Sequence, residues 1–294
     1  MALNVEEIFR HPELSAILRG QARNLLAVHD AAPRVSSVFA TQQRWLLAHM
    51  ALAQLFRERD SGLRIAVFLE KVVKHQVASR NTADAFLKEM QNYGFVEAVP
   101  NPNDKRLHPL RAAPLCIETL KCWLVIHLAT LDAIDAGSRT RLFREQPESL
   151  TAIQPAIADS LLASNEIRKP KPTFSLFTWL NDGGIIMDWL IAGLADVDPG
   201  CDRIPSQVES FSNLANRLSL SPTHLRRKLR EAEKMGSLGW LGDREKSAMW
   251  VSVEFQQEYH AAQAAKLAII DAAFHAVFPK QDDPPNNSQH MPAN

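Results

Sequence analysis

The feature that most constrains this chain is an internal repeat. Ser79 and Gly94 stand 15 residues apart, and Ser221 and Gly236 repeat that spacing 142 positions further on. At the same offset Leu69, Val72 and Val73 fall on Phe211, Leu214 and Ala215, and Ala83, Leu87 and Met90 fall on Leu225, Leu229 and Ala232. At about 100° per residue, positions 83, 87 and 90 share one helix face, so each copy has a helix with one face to bury. Each glycine occupies the position past a helix end that favours a left-handed residue.

What surrounds each helix also repeats. In the first copy a helix around Ile65–Val73 comes before, and Phe95–Val99, a polar turn Pro100–Lys105 and a short segment Arg106–Leu110 come after. In the second copy the corresponding hairpin is Leu238–Leu241, Gly242–Ser247 and Ala248–Val253. Pro109 makes its strand an edge at best, because proline has no N–H for a ladder. Helix, tight turn, helix and a two-stranded hairpin is the pattern of a winged helix-turn-helix, whose second helix suits a major groove. The expected fold is therefore mostly α with two small β-hairpin wings, as tandem winged helix-turn-helix domains with equivalent recognition helices near 80–93 and 222–235.

The rest of the chain sorts around these units. A length of 294 residues suggests two domains at roughly 150 residues each. Residues 1–145 read as N-terminal helices plus the first winged domain, with helix-turn-helix and wing over about 63–112. An amphipathic helix is expected over 41–59 and another over 114–134. Residues 146–172 read as a connector, with one helix near Ala152–Ala163 and a stiff Lys169-Pro170-Lys171-Pro172 boundary. Residues 173–278 form the second domain, with its unit over about 207–253, a loop over 195–206 and helices at Phe174–Leu180 and Ile185–Leu194. Residues 279–294 hold four prolines and no apolar period, and are expected to be a disordered tail.

The first copy resembles the MarR family of bacterial transcription regulators. The likeness rests on Ser79-x-x-Thr82, Leu87, Met90, Gly94-Phe95-Val96 and Asp104-Lys105-Arg106, and covers about 40–135. It implies DNA binding through the second helix and the wing, and dimerisation through helices such as 41–59 and 114–134. The chain departs from that family in carrying a second copy, whose wing reads Asp243-Arg244-Glu245-Lys246 without the Asp-x-Arg pattern. A homodimer and a pseudo-dimeric monomer both remain open.

Charge locates the candidate contacts. The chain carries 33 Lys+Arg against 33 Asp+Glu, so any basic surface is local. From Arg217 to Lys234 stand six basic and two acidic residues. Thr223, Arg227, Arg230 and Lys234 fall on the outward face of the second helix, with Arg226 and Lys228 beside it. In the first helix Asn81, Ala85, Lys88 and Asn92 face outward, flanked by Asp84 and Glu89. Asn suits adenine, Lys and Arg suit guanine or phosphate. The DNA-binding candidates are Asn81, Thr82 and Lys88, Thr223, Arg226, Arg227, Arg230 and Lys234, and in the wings Lys105, Arg106, Arg244 and Lys246. Against this stands the plain alternative that a basic helix face is a solvated surface with pairs such as Arg227–Glu231.

Other constellations point nowhere specific. The ten histidines show no His-x-x-x-His pair, and Asp182-Gly183-Gly184 lacks the Lys-Ser/Thr of a phosphate loop. Cys116, Cys122 and Cys201 form no Cys-x-x-Cys pair, in keeping with a reduced, cytoplasmic setting. No apolar run reaches the ~20 residues of a membrane span. Phe174, Phe177, Trp179 and Trp189 suit a core, or a pocket for a small-molecule effector. The expectation is a transcriptional regulator that binds double-stranded DNA, with no enzymatic activity, cofactor, metal or membrane. The alternatives are an architectural protein of the kite-shaped chromosome-partition type and a plasmid replication initiator.

Overall fold

A computed structural model of the chain describes residues 1–33, 39, 41–58, 61–99, 108–179, 183–196, 200–208, 215–216, 221–244 and 246–279. The described residues are mostly helical, with two small antiparallel sheets. The expected tail lies outside them beyond Pro279, as does the first wing's turn.

Helices from both ends of the chain build a common core. α1 (Val5–Phe9) starts at Asn4, whose Oδ1 accepts from Glu7 N–H while the Glu7 carboxylate accepts from Asn4 N–H. α2 (Leu14–Ala31) follows, then α3 (Gln42–Arg57), whose first turn is capped by Thr41. Every residue of α3 from Leu46 to Leu55 is buried. A helix apolar all round must be enclosed, and α3 packs on α8 (Leu150–Ala163) and on the helix that follows it, α4 (Ile65–Lys74). The 41–59 helix is thus covered within the chain and offers no stripe for a partner.

α6 (Pro114–Asp135) is long and apolar enough by composition to cross a membrane, although polar residues such as His127 interrupt its apolar run. Here it is a core helix: Leu120, Leu124, Leu128 and Leu131 are buried, and it packs on α2, on α7 (Arg139–Glu145) and on α13 (Val253–Val277). The segment read as a connector is itself structured. It holds a 3-10 turn (Pro147–Ser149), α8 and the short α9 (Asn165–Arg168), and α8 lies at the centre of the core. Its apolar positions, Ile153, Ile157 and Leu161, recur at helical spacing and are fully buried.

α13 joins the two halves. It packs on α1, α6, α8 and α10 (Pro172–Thr178), and α11 (Gly183–Ala192) lies on α2. Several buried polar contacts fix it. Gln21 Nε2 donates to Gln263 Oε1 at 3.0 Å, and Phe174 N–H donates to Glu258 Oε2 at 3.0 Å. Arg139 on α7 is enclosed by three carboxylates: Asp271 on α13 (2.6 Å), Asp135 (2.6 Å) and Asp132 (3.5 Å) on α6. Asp271 also accepts from Leu3 N–H at 2.7 Å, so one buried arginine ties together α6, α7, α13 and the N-terminus.

Two units project from this core. In the first, α4 is followed by a turn in which Gln76 has φ 53°, then α5 (Arg80–Asn92), β1 (Val96–Ala98) and β2 (Leu110–Ala112). The second strand begins at Leu110, later than expected, because Pro109 cannot donate to the ladder. Leu63 adds a third strand position, exchanging hydrogen bonds with Leu110 at 2.8 and 3.0 Å. In the second unit, β3 (Arg203–Pro205), α12 (Pro222–Lys234), β4 (Leu238–Trp240) and β5 (Met249–Ser252) give a sheet of order β3-β5-β4. β3 falls in the stretch expected to be a loop. Three residues with Arg203 exposed and a proline at the end carry too little alternation to be legible. The helix expected before α12 lies largely outside the described residues, although Ala215 is buried as the repeat requires.

Candidate nucleic-acid interface

The repeat holds down to individual hydrogen bonds. Ala83, Leu87 and Met90 in α5, and Leu225, Leu229 and Ala232 in α12, are each at most 4% exposed. Gly94 has φ +72° and Gly236 φ +73°. After them, Phe95 N–H reaches Met90 O at 2.9 Å and Ser237 N–H reaches Ala232 O at 3.0 Å, the six-to-one bond that closes a helix through a left-handed residue. Each of these two residues then accepts from the end of the last strand, Phe95 from Ala113 just past β2 and Ser237 from Ser252 closing β5, both at 2.9 Å. The helix exits are thus built alike, and each sets the direction of its hairpin.

The helix entries differ. Ser79 Oγ accepts from Thr82 N–H at 3.1 Å and lies 2.9 Å from Thr82 Oγ1, so the Thr82 hydroxyl is engaged in the cap. Ser221 makes no such bond, and Pro222 starts α12 with its fixed φ instead.

Charge separates the two outward faces. On α5, Asn81, Ala85, Lys88 and Asn92 are all exposed as expected. Lys88, however, is paired with Asp84 at 2.7 Å, and Glu89 with Arg44 of α3 at 2.7 Å. That face is close to neutral. On α12, Thr223, Arg227, Arg230 and Lys234 are exposed, and among the described residues no hydrogen bond or ion pair holds their side chains. The Arg227–Glu231 pair that would mark a plain solvated face is not found among the described residues; Lys228 takes Glu231 at 2.9 Å. The Glu231 carboxyl is held below its ordinary range by the Lys228 hydrogen bond first, with the charges of Lys228, Arg227 and Lys234 adding to it. Arg226 is half-buried beside this face and makes contacts of its own.

In the second hairpin Arg244 is turned back onto Glu233 of α12, which also accepts from Trp240 Nε1 at 3.0 Å. That arginine braces the hairpin against the helix. Lys246 is exposed at the turn. Trp250 lies over Gly239, where a Cβ would come within 2.5 Å of the indole, and under the Arg203 guanidinium at 4.5 Å. Lys105 and Arg106 of the first wing lie outside the described residues.

The aromatic group expected to form a core or a pocket divides. Phe177 is fully buried and stacked on Phe255 at 5.5 Å, Trp189 is half-buried, and Trp179 is 65% exposed. Phe174 lines a cavity that also contains Lys266, a residue the sequence reading passed over. Its signal was available: Lys266 is the one charged residue between Ala261 and Ile270. No protein-family model, curated protein or solved structure matches this chain.

Proposed function

We propose that the chain is a DNA-binding regulator with two winged helix-turn-helix modules, forming a covalent pseudo-dimer in a single polypeptide. The observation that carries this reading is the pair of matched helix exits, each feeding a hairpin that a third strand position completes. In such a module the second helix enters a major groove and the hairpin runs over the backbone. α12 has the chemistry for it: among the described residues, exposed Arg227, Arg230 and Lys234 meet no carboxylate partner, and they are able to neutralise phosphates or read guanine. The burial of α3 favours the pseudo-dimer, because a helix covered on every side has nothing to offer a second chain. The second module supplies most of the phosphate affinity, and the first tunes sequence through Asn81 and Asn92. The setting that suits this role is the cytoplasm.

A second reading draws on the first module alone. Because α5 presents a nearly neutral face, with Lys88 held by Asp84, that module suits a protein partner, as in an assembly protein with tandem winged helices. One experiment separates the two. Random duplex is titrated against salt with wild type, Arg227→Ala/Arg230→Ala and Asn81→Ala/Lys88→Ala. The DNA reading expects the arginine pair to lower the slope of log affinity against log salt by about two, since each neutralised phosphate releases roughly one counterion. Absence of salt-dependent binding in wild type would refute it and leave the assembly reading.

A further inference from the structure

A cavity of about 290 Å³, open to solvent on one side, lies among α2, α3, α6, α10, α11 and α13, helices drawn from both halves of the chain. Its walls are largely apolar, lined by Trp45, Trp123, Ile126, Ile185 and Met187, with the two indoles in contact at 6.3 Å. This is the size and lining of a small-molecule site. Into it reaches Lys266 of α13. Among the described residues, its ammonium has no hydrogen-bond or ion-pair partner. Asp188 on α11, which also lines the cavity, acts on Lys266 only through space; its Oδ1 already accepts from the Tyr259 hydroxyl at 2.6 Å. The remaining titratable groups around the cavity are His49 of α3 and His127 of α6, both kept neutral by burial, and Glu166 at the exposed rim.

A half-buried ammonium facing an apolar cavity, with no hydrogen-bond or ion-pair partner among the described residues, loses part of its hydration uncompensated, and the natural remedy is an acceptor supplied from outside. We propose that this cavity binds a small apolar molecule bearing one carboxylate, with the acid group on Lys266 and the apolar body against the Trp45 and Trp123 wall. The site stands independently of the DNA reading. Its walls nevertheless touch both modules: Trp45 belongs to α3, joined to α5 by Arg44–Glu89, and Phe174 belongs to α10, which packs on α12 and whose Thr173 hydroxyl meets that of Ser237 at 2.7 Å.

The test is calorimetric titration, without DNA, of 4-phenylbutyrate, 4-phenylbutanol and 4-phenylbutylamine, which share one apolar body. The acid should bind about tenfold or more tighter than the alcohol, the worth of one charge-assisted hydrogen bond in a largely apolar site. Lys266→Met should bring the acid down to the alcohol's affinity, and Ala262→Phe, which fills the cavity from α13, should abolish binding of both. In wild type, the acid should also protect Lys266 from acetylation by acetic anhydride, read by peptide mass spectrometry. That measurement decides the matter even where a variant fails to fold. The proposal is overturned if the alcohol or the amine binds as tightly as the acid, if none of the three binds, or if Lys266 acetylates equally with and without acid.

Discussion

Replacing Lys266 with methionine should make the protein more stable at neutral pH. Burial pushes the Lys266 ammonium down to about 8 from the ordinary 10.5, with the Asp188 charge opposing part of that push. The gap corresponds to about 3 kcal/mol. Below pH 8 both folded and unfolded chains carry the proton, so the folded state bears the whole cost. Between pH 8 and 10.5 the folded state loses its proton first, and the cost is relieved as pH rises. Methionine keeps the stem's apolar contacts and removes the charge, but it also takes away the cation that favours ionised Asp188. The net gain expected at pH 7 is about 2 kcal/mol, or a rise in Tm of roughly 4 °C for a chain of this size. Urea denaturation of both proteins at pH 7 and pH 10.5 measures it. The gain should shrink towards zero at the higher pH. A loss of stability at pH 7, or a gain that does not change with pH, would show that the ammonium is well solvated and the reasoning wrong.

Three further outcomes follow from the same structure. Arg139→Ala should cost about 3–5 kcal/mol, because it strands the fully buried Asp271 without its cation, whereas Arg139→Met with Asp271→Asn should recover part of that loss; denaturant midpoints compare them. Gly94→Ala and Gly236→Ala should each cost about 1–2 kcal/mol for a side chain held at positive φ although space for a methyl is open, and near-equal losses in thermal unfolding would report equivalent helix exits. Burial lowers the pKa values of His49 to about 3 and His260 to about 4, and holds His127 well below its ordinary value, so the unfolded chain binds more protons below pH 6.5. Stability should therefore fall with falling pH from 6.5, each histidine adding about 1.4 kcal/mol per pH unit, while Asp188, raised to about 6 by burial, opposes this between pH 6 and 3.8; His49→Gln should visibly flatten the acid limb of a stability profile.

What the sequence determined by itself is local. Residues 83, 87 and 90, and their counterparts 225, 229 and 232, were legible as buried because helical periodicity is a property of neighbouring residues. Gly94 and Gly236 were legible as helix ends because only glycine accepts a positive φ without strain. The exposed basic face of α12 came from the same periodicity. Tertiary structure decided whatever depended on partners distant in sequence. β3 and the strand position at Leu63 exist because β5 and Leu110 complete them, and neither segment is periodic enough to declare itself. The segment 146–172, a linker by composition, became core because α3 and α13 required α8 to cover them. Lys88 lost its expected freedom to Asp84, and Arg244 to Glu233, since side-chain rotamers and chain packing choose among the carboxylates within reach. Lys266 gained its significance only when α13 carried it among helices of both halves, to the wall of a largely apolar cavity. A lone charge in an apolar stretch is visible in sequence, but whether it meets a partner, solvent or an enclosed space is set by the packing of the whole chain.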